Sequence, residues 1–136
     1  MIALLDYGAG NVRSVQKALT AAGGDVRLVP NPETVAQADA VVLPGVGAFD
    51  DCINAMQRQE LFEAARAFVS TGKPFLGICV GYQALFEKSE EFNSCAAGLG
   101  IFEGSVVRFP DAEVKVPQIG WNEVQFSKLD CPILQD

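Results

Sequence analysis

The chain has 136 residues, of which 49% are hydrophobic and 20% are charged, and this is enough apolar material for the core of one ordinary domain. Its formal net charge of −7 argues against a nucleic-acid partner, because each phosphate contact requires a lysine or an arginine. No apolar run approaches the roughly 18 residues of a membrane helix, and the first residues lack the basic segment of a secretory signal. The sequence predicts a single cytoplasmic globular domain without a membrane partner.

The cysteines lack the paired spacing of zinc or redox sites, and the chain contains no histidine. Free thiols in a reducing compartment are the simplest interpretation, so we expect no metal and no cofactor. The four positions are Cys52, Cys79, Cys95 and Cys131.

Short apolar runs alternate with helix-period segments through the first part of the chain. This alternation predicts an α/β fold, a three-layer sandwich in which helices flank a mainly parallel sheet. The predicted strands are residues 2–5, 25–29, 40–43 and 74–78. Four helices are predicted. The first is capped by Asn11 and ends before Gly23, and the second begins at Asp50 and Asp51. The third has its apolar side over residues 61–69 and stops at Gly72, and the fourth covers residues 80–86.

The rhythm changes after about Glu90, where short β-like runs follow one another without a helix between them. Residues 104–109, 114–116 and 121–126 predict an antiparallel or mixed extension of the fold. Because no closing helix follows, we expect residues 1–136 to be one incomplete domain, truncated at the carboxyl end. Apolar surface and sheet edges would then be exposed, which predicts marginal stability or self-association.

The loop after the first predicted strand contains two glycines in the run Asp6-Tyr7-Gly8-Ala9-Gly10-Asn11. A dinucleotide-binding loop is disfavoured because Arg13 occupies the place of the third glycine. Taken alone, this loop is a tight strand-to-helix turn with Asn11 as the helix cap.

The most informative motif is Gly77-Ile78-Cys79-Val80-Gly81, between an apolar strand and a helix. The spacing is that of a nucleophile elbow, in which small residues two positions to either side relieve crowding at a strained turn. The amino end of the helix favours a thiolate at Cys79. A buried core cysteine is the competing interpretation, and the strand before and the helix after disfavour it. The other three cysteines lack this context and are interpreted as inert packing thiols.

The loop after the third predicted strand, Leu43-Pro44-Gly45-Val46-Gly47-Ala48-Phe49, complements the elbow. Glycines on both sides of Val46 leave its backbone amides open to a developing oxyanion. An acyl-transfer nucleophile needs donors from its own following residue and from a neighbouring loop. Here these donors would be the N–H of Val80 and an N–H of the Val46-Gly47 pair.

Polar residues near the elbow are candidates for substrate contact. Gln83 lies one helical turn after Cys79 on the same face, although a surface glutamine is the alternative. Ser89, Glu90 and Glu91 could supply a carboxylate to a substrate ammonium, although an acidic loop is usually only solvated. Trp121 is the only tryptophan and, by itself, would be interpreted as a core residue.

Four segments together resemble the class I, triad-type glutamine amidotransferases, and within them the glutaminase subunits of imidazole glycerol phosphate synthase. The resemblance covers essentially the whole chain: the three loops described above, the last extended through Tyr82 and Gln83, and the run Val116-Pro117-Gln118-Ile119-Gly120-Trp121-Asn122. The elbow marks the superfamily, whereas the Pro-Gly-Val-Gly-x-Phe loop and the Gly-Trp-Asn run point to this subfamily.

The resemblance implies a glutaminase that releases ammonia from glutamine and supplies it to a separate cyclase subunit, in a heterodimer that serves histidine biosynthesis. It further implies thiolate attack on the amide, an oxyanion intermediate and hydrolysis of a thioester. By position, the nucleophile is matched by Cys79, and the oxyanion hole by Val46, Gly47 and Val80. The glutamine-contacting positions are matched by Gly45, Gln83 and Glu91. The surface that meets the cyclase is matched by Asn11, Ser14, Gln118 and Trp121.

Two departures from the family pattern bear on activity. The family's His-x-Glu pair, which lies in a carboxyl-terminal segment, is missing, and Gln118 stands where the family usually has a histidine. Loss of a general base lowers a rate by about 100- to 10,000-fold, so we expect little or no turnover from this chain alone.

Two other functions stay open at this point. The chain could be a non-catalytic binding or regulatory module with the amidotransferase fold, or the glutaminase subunit of another synthase. The missing histidine favours the module. The elbow and the donor loop disfavour it, because a module that only binds has no physical need for either.

Overall fold

A computed structural model describes residues 1–110, 114–117, 119–125 and 127. The strands are β1 (Ile2–Leu5), β2 (Val26–Val29), β3 (Ala40–Leu43), β4 (Phe75–Gly77), β5 (Phe86–Ser89) and β6 (Phe102–Val106). The helices are α1 (Val12–Ala21), α2 (Pro32–Ala36), α3 (Phe49–Arg58), α4 (Leu61–Val69) and α5 (Val80–Gln83). No helix in the described part of the chain is long and apolar enough to cross a membrane.

Strands β1 to β4 form a parallel sheet in the order β2-β1-β3-β4. The central strands β1 and β3 are almost entirely apolar and buried, as expected for parallel strands covered on both faces. The predicted mainly parallel α/β fold is therefore confirmed, and the four predicted strands agree with the structure to within a residue at each end.

The two faces of the sheet carry different helices. The main core joins one face of the strands, with Ala3, Val41 and Leu43, to buried side chains of α2, α3 and α4, and α1 contributes no residue to it. The other face carries the row Leu28, Leu4, Val42 and Leu76, which the register aligns across the sheet. The connection from β1 to β2 and the connection from β2 to β3 run in opposite directions across the sheet. Because such crossovers are right-handed, α1 and α2 lie on opposite faces. The result is the predicted three-layer arrangement.

The strand order reverses between β1 and β3, and this position determines where a ligand site can form. In open α/β sheets, ligands bind outside the carboxyl ends of the strands where the order reverses. The loops that follow β1 and β3 flank this point, and the loop that follows β4 lies beside that of β3.

Helix α2 is absent from the sequence prediction. Its start signals are present: the side chain of Asn31 accepts the Thr34 N–H at 3.1 Å, and Pro32 occupies the first turn. At five residues, however, the helix is too short to show a hydrophobic period.

The region after the elbow differs most from the prediction. Helix α5 ends at Gln83 instead of residue 86, and the following residues form β5, which pairs in parallel with β6. An antiparallel bridge joins Lys88 to Ala97, so this region is mixed, but β5 and β6 form a separate two-stranded sheet and only the predicted run 104–109 overlaps one of these strands. The predicted strands at 114–116 and 121–126 are wrong for the described residues of those ranges, which adopt no regular structure. Phe126 lies outside the described residues.

Candidate active site

Cys79 occupies a sharp turn between β4 and α5. Its backbone has φ 56° and ψ −119°, a conformation that costs an L-residue on the order of 1–3 kcal/mol. Hydrogen bonds hold the turn on both sides: Ile78 N–H donates to the carbonyl of Leu43 at 2.9 Å, and Tyr82 N–H donates to the carbonyl of Cys79 at 2.9 Å. The thiol is exposed. The structure therefore has the strained, accessible elbow that the glycine spacing predicts.

The glycines of the elbow are required by close packing. A Cβ at Gly77 would lie 2.6 Å from Cα of Tyr82, and a Cβ at Gly81 would lie 2.8 Å from the carbonyl carbon of Leu43. Gly45, in the loop after β3, would place a Cβ 2.9 Å from Cβ of Val80. Since real Cβ atoms do not approach other atoms this closely, glycine is what allows the loop after β3 to lie against the first turn of α5.

The loop after β1 joins the same cluster. A Cβ at Gly10 would lie 3.4 Å from Cβ of Pro44, which is van der Waals contact. The hydroxyl of Tyr7 donates a hydrogen bond to the carbonyl of Pro44. The three predicted loops are therefore contiguous in space, as the carboxyl ends of neighbouring parallel strands should be.

The candidate oxyanion donors have no competing acceptors in the part of the chain that the structure describes. The N–H groups of Val46, Gly47 and Val80 take part in none of its hydrogen bonds outside the regular elements. Val46 is half exposed, and Gly47, at φ 84°, has open space around its Cα. Free N–H groups beside a thiol are able to bind an oxygen atom that acquires negative charge.

The acidic segment after β5 is tied to the loop after β3 by Asp50. The carboxylate of Asp50, in the first turn of α3, accepts hydrogen bonds from the hydroxyl of Ser94 and from the N–H groups of Cys95 at 2.9 Å and Ala96 at 3.2 Å. Hydrogen bonds hold the pKa of Asp50 below its usual value, with the largest effect from the Cys95 N–H and the next from the Ser94 hydroxyl. This clamp anchors the residues that follow Glu91.

Two of the predicted glutamine-contacting residues, Gly45 and Gln83, lie at the elbow, where the Gln83 N–H donates to the carbonyl of Cys79 at 3.1 Å. Gly45 packs on α5, and Gln83 is a half-buried residue of α5. Glu91 is partly buried in a 3-10 turn, where its N–H donates to the hydroxyl of Ser89 at 3.1 Å. Ser89 is buried and accepts this hydrogen bond, so its role is structural and it does not supply a contact to the substrate.

The predicted partner residues are exposed where they are described. Asn11 caps α1 by accepting the Ser14 N–H at 3.4 Å, and both residues face solvent. Trp121 is fully exposed, so its interpretation as a core residue is wrong. Gln118 lies outside the described residues.

The remaining cysteines divide by environment. Cys52 is buried, as predicted for a packing thiol, but Cys95 is exposed and that interpretation is wrong for it. Cys131 lies outside the described residues.

Sequence reasoning missed the roles of Tyr7 and Asp50 in this site. Tyr7 entered only as part of the first loop, and Asp50 only as a helix opener. The available signal was an aromatic residue with a hydroxyl two residues after a buried strand, and an acid directly after a glycine-rich loop. Neither signal identifies its partner, because both partners are distant in sequence.

Comparisons with known proteins agree with this geometry. The family model described as "Glutamine amidotransferase class-I" matches residues 3–129. The protein named imidazole glycerol phosphate synthase subunit HisH from Syntrophotalea carbinolica is 48% identical, over 99% of this chain and 68% of its own length. Proteins of the same name from Synechococcus elongatus and Chromobacterium violaceum are 46% and 50% identical, over 99% and 90% of this chain and 62% and 61% of their own lengths. The chain thus spans about two thirds or less of these relatives.

A solved structure titled "Crystal structure of glutamine amidotransferase" has a similar fold. It superimposes with a TM-score of 0.67 over 79% of this chain and 56% of that chain, at 22% sequence identity. At this identity the likeness concerns the fold alone.

Proposed function

The chain belongs to the class I glutamine amidotransferase family, and from this we propose that it carries the nucleophile of a glutaminase that supplies ammonia to the cyclase subunit of imidazole glycerol phosphate synthase in histidine biosynthesis. One observation carries the proposal: an exposed cysteine at φ 56°, next to a loop whose N–H groups are unengaged. We further infer a reducing, cytoplasmic setting, since Cys52, Cys79 and Cys95 are free thiols.

In the proposed reaction, the Cys79 thiolate attacks the side-chain amide carbon of glutamine. A C–S bond forms, and the electron pair of the carbonyl moves to oxygen, where the N–H of Val80 and an N–H of Val46 or Gly47 stabilise it. The intermediate collapses with cleavage of the C–N bond, and ammonia leaves once its nitrogen has accepted a proton. Water then hydrolyses the thioester to glutamate. Removal of one such donor typically lowers the rate by about 100- to 1,000-fold.

We assign the recognition of glutamine to Gly45, Gln83 and Glu91. The carboxylate of Glu91 is suited to the substrate's α-ammonium, and the amide of Gln83 can both donate and accept a hydrogen bond. Gly45 keeps the backbone of the donor loop against α5, which leaves room for the substrate beside Cys79.

The general base is proposed to come from outside these 136 residues, because the chain has no histidine. Proton transfer is then the step that this chain alone performs poorly, so we expect its hydrolysis of glutamine to be slower by about 100- to 10,000-fold than that of an enzyme with its base in place.

The partner surface is proposed to include Asn11 and Ser14 on α1 together with Trp121 and Gln118. Trp121 supports the assignment because a fully exposed indole is a large apolar group that a protein interface can cover.

Covalent labelling tests the proposed chemistry without requiring turnover. The purified chain is incubated with a glutamine-like chloromethyl ketone, and the modified cysteine is located by mass spectrometry. We expect modification of Cys79 in preference to Cys95, which is also exposed, with protection by glutamine but not by asparagine. The Cys79→Ser variant serves as the control. Equal modification of both thiols, without protection, would support the non-catalytic module instead.

Fluorescence tests the partner. Trp121 is the only tryptophan of the chain, so iodide quenching of its emission reports directly on that surface. Addition of a tryptophan-free cyclase subunit of imidazole glycerol phosphate synthase should protect it, and Asn11→Ala should weaken the protection. Unchanged quenching at micromolar cyclase would contradict this partner and favour a glutaminase subunit of another synthase.

A further inference from the structure

Tyr7 connects the loop after β1 to the loop after β3 through the interior. The residue is 2% exposed, and its hydroxyl reaches both the carbonyl oxygen of Pro44 and Sγ of Cys52, the latter at 3.2 Å. These partners are 37 and 45 residues away in sequence. The phenol therefore makes contacts that only the assembled sheet provides.

The direction of the two hydrogen bonds follows from the count of hydrogens. A carbonyl oxygen only accepts, so the single hydroxyl hydrogen of Tyr7 must point at Pro44. The Tyr7 oxygen can then act only as an acceptor toward Cys52, and the thiol hydrogen must point at it. The two hydrogen bonds therefore form a series from the Cys52 S–H to the Tyr7 oxygen, and from the Tyr7 O–H to the Pro44 carbonyl.

The Tyr7 hydroxyl remains the hydrogen-bond donor to Pro44 because it keeps its proton. Burial, and then the hydrogen bond with Cys52, raise the pKa of Tyr7 far above its ordinary value. The phenol stays protonated throughout the working pH range, so the hydrogen bond to Pro44 does not depend on pH there.

The bond to Pro44 restricts the donor loop at its first peptide. The proline ring fixes φ of Pro44, and the peptide plane fixes the Gly45 N–H on the side opposite the Pro44 oxygen. Gly45 in turn lies against Val80. The hydrogen bond from Tyr7 thus restrains the Pro44 carbonyl and close packing restrains Gly45, and the next two amides along the chain are those of Val46 and Gly47.

We propose that Tyr7 is a positioning residue that orients the Pro44–Gly45 peptide, and through it the Val46 and Gly47 amides, toward the oxygen of the substrate at Cys79. This inference rests on the proposed function. Tyr7 itself touches neither the substrate nor the thiol; it acts through the backbone of the donor loop.

The test compares two reagents on the full chain. A glutamine-like chloromethyl ketone alkylates the thiolate with loss of chloride, and hydrogen bonds to its ketone oxygen speed the reaction. A dipyridyl disulfide also reacts with the thiolate but has no carbonyl, so it reports only accessibility and ionisation. The ratio of the two rates at Cys79 isolates the contribution of the oxyanion donors.

Tyr7→Phe keeps the ring and removes the hydroxyl. We expect the ketone rate to fall by about 10-fold, the equivalent of one hydrogen bond, with the disulfide rate unchanged. Cys52→Ala is the matched control: it shortens the same buried chain but leaves the bond to Pro44 intact, so the ratio should be preserved even where thermal stability decreases.

Three outcomes overturn the inference. An unchanged ratio in Tyr7→Phe removes the positioning role, and an equal fall of the ratio in Cys52→Ala assigns the effect to packing. If the unmodified chain shows no selective, glutamine-protected reaction of Cys79 with the ketone, the proposed function fails first and the inference fails with it.

Discussion

Cys79 precedes α5 and Cys52 lies in α3, and the environments of the two thiols are opposite. Cys52 is 1% exposed in the middle of α3, its sulfur hydrogen-bonds Tyr7, and burial raises its pKa against the smaller, opposing effect of that bond. Cys79 is exposed at a strained turn, and no hydrogen bond engages its sulfur in the described part of the chain. The side chain is the same, so the backbone decides which sulfur is available for chemistry.

The sharpest test of this contrast is the reactivity of the two thiols. With iodoacetamide at neutral pH, Cys79 should react at once, whereas Cys52 should react only through unfolding, which a stability of about 5 kcal/mol makes at least about 1,000-fold slower. Tandem mass spectrometry over time measures both rates in one sample, and in urea the difference should disappear. Comparable rates in buffer would contradict the burial of Cys52.

The second largest expected effect concerns the close packing of Gly81 against Leu43 at the turn that carries Cys79. Gly81→Ala places a Cβ against the backbone of Leu43, so we expect a loss of about 3 kcal/mol in the free energy of unfolding, measured by urea denaturation. Gly72→Ala is the comparison, because its φ of 74° is unsuited to alanine while nothing lies within 4 Å of the new Cβ, whereas Gly81 lies in helix α5 without a positive φ and meets only the close contact. This control should lose only about 1 kcal/mol. A loss at Gly81 no larger than that at Gly72 would mean that the contact with Leu43 is relieved easily and does not require glycine at the elbow.

The smallest effect concerns the clamp that anchors the acidic segment. Asp50→Asn should lower the free energy of unfolding by about 1 kcal/mol at neutral pH and speed hydrogen exchange at the amides of Cys95 and Ala96. Asp51→Asn, one position later and exposed, is the matched control and should leave that exchange unchanged. If both variants exchange alike, the clamp does not order the segment.

The same clamp predicts a pH dependence with a definite sign. The pKa of Asp50 is lower in the folded chain than the ordinary 3.8, so its contribution to stability is present above pH 3.8 and is lost as the pH falls below that value through the folded pKa. Acid denaturation of Asp50→Asn should lack this component. An identical acid transition in the variant would contradict the assignment.

Prediction from the sequence was most accurate in the first part of the chain, where the pattern is strong. Each strand of the main sheet is a short run of mostly apolar residues, Asn11 caps α1, and Gly72 follows the end of α4, so local patterns define these elements. It was least accurate after the elbow, where β5 carries charged residues and is held by its pairing with β6. Partner strands and not local preference determine such segments.

The same division applies to the site. The sequence by itself determined the elbow, because the strain at Cys79 and the crowding of Gly77 against Tyr82 are properties of a few consecutive residues. Only the tertiary structure decided that Tyr7 donates to Pro44, that Asp50 clamps residues 94–96, and that Cys52 is buried while Cys95 is exposed. These pairs are 37 to 46 residues apart. Tyr7 and Pro44 meet because the strand order β2-β1-β3-β4 makes β1 and β3 neighbours, and that order arises from long-range pairing that no local pattern encodes.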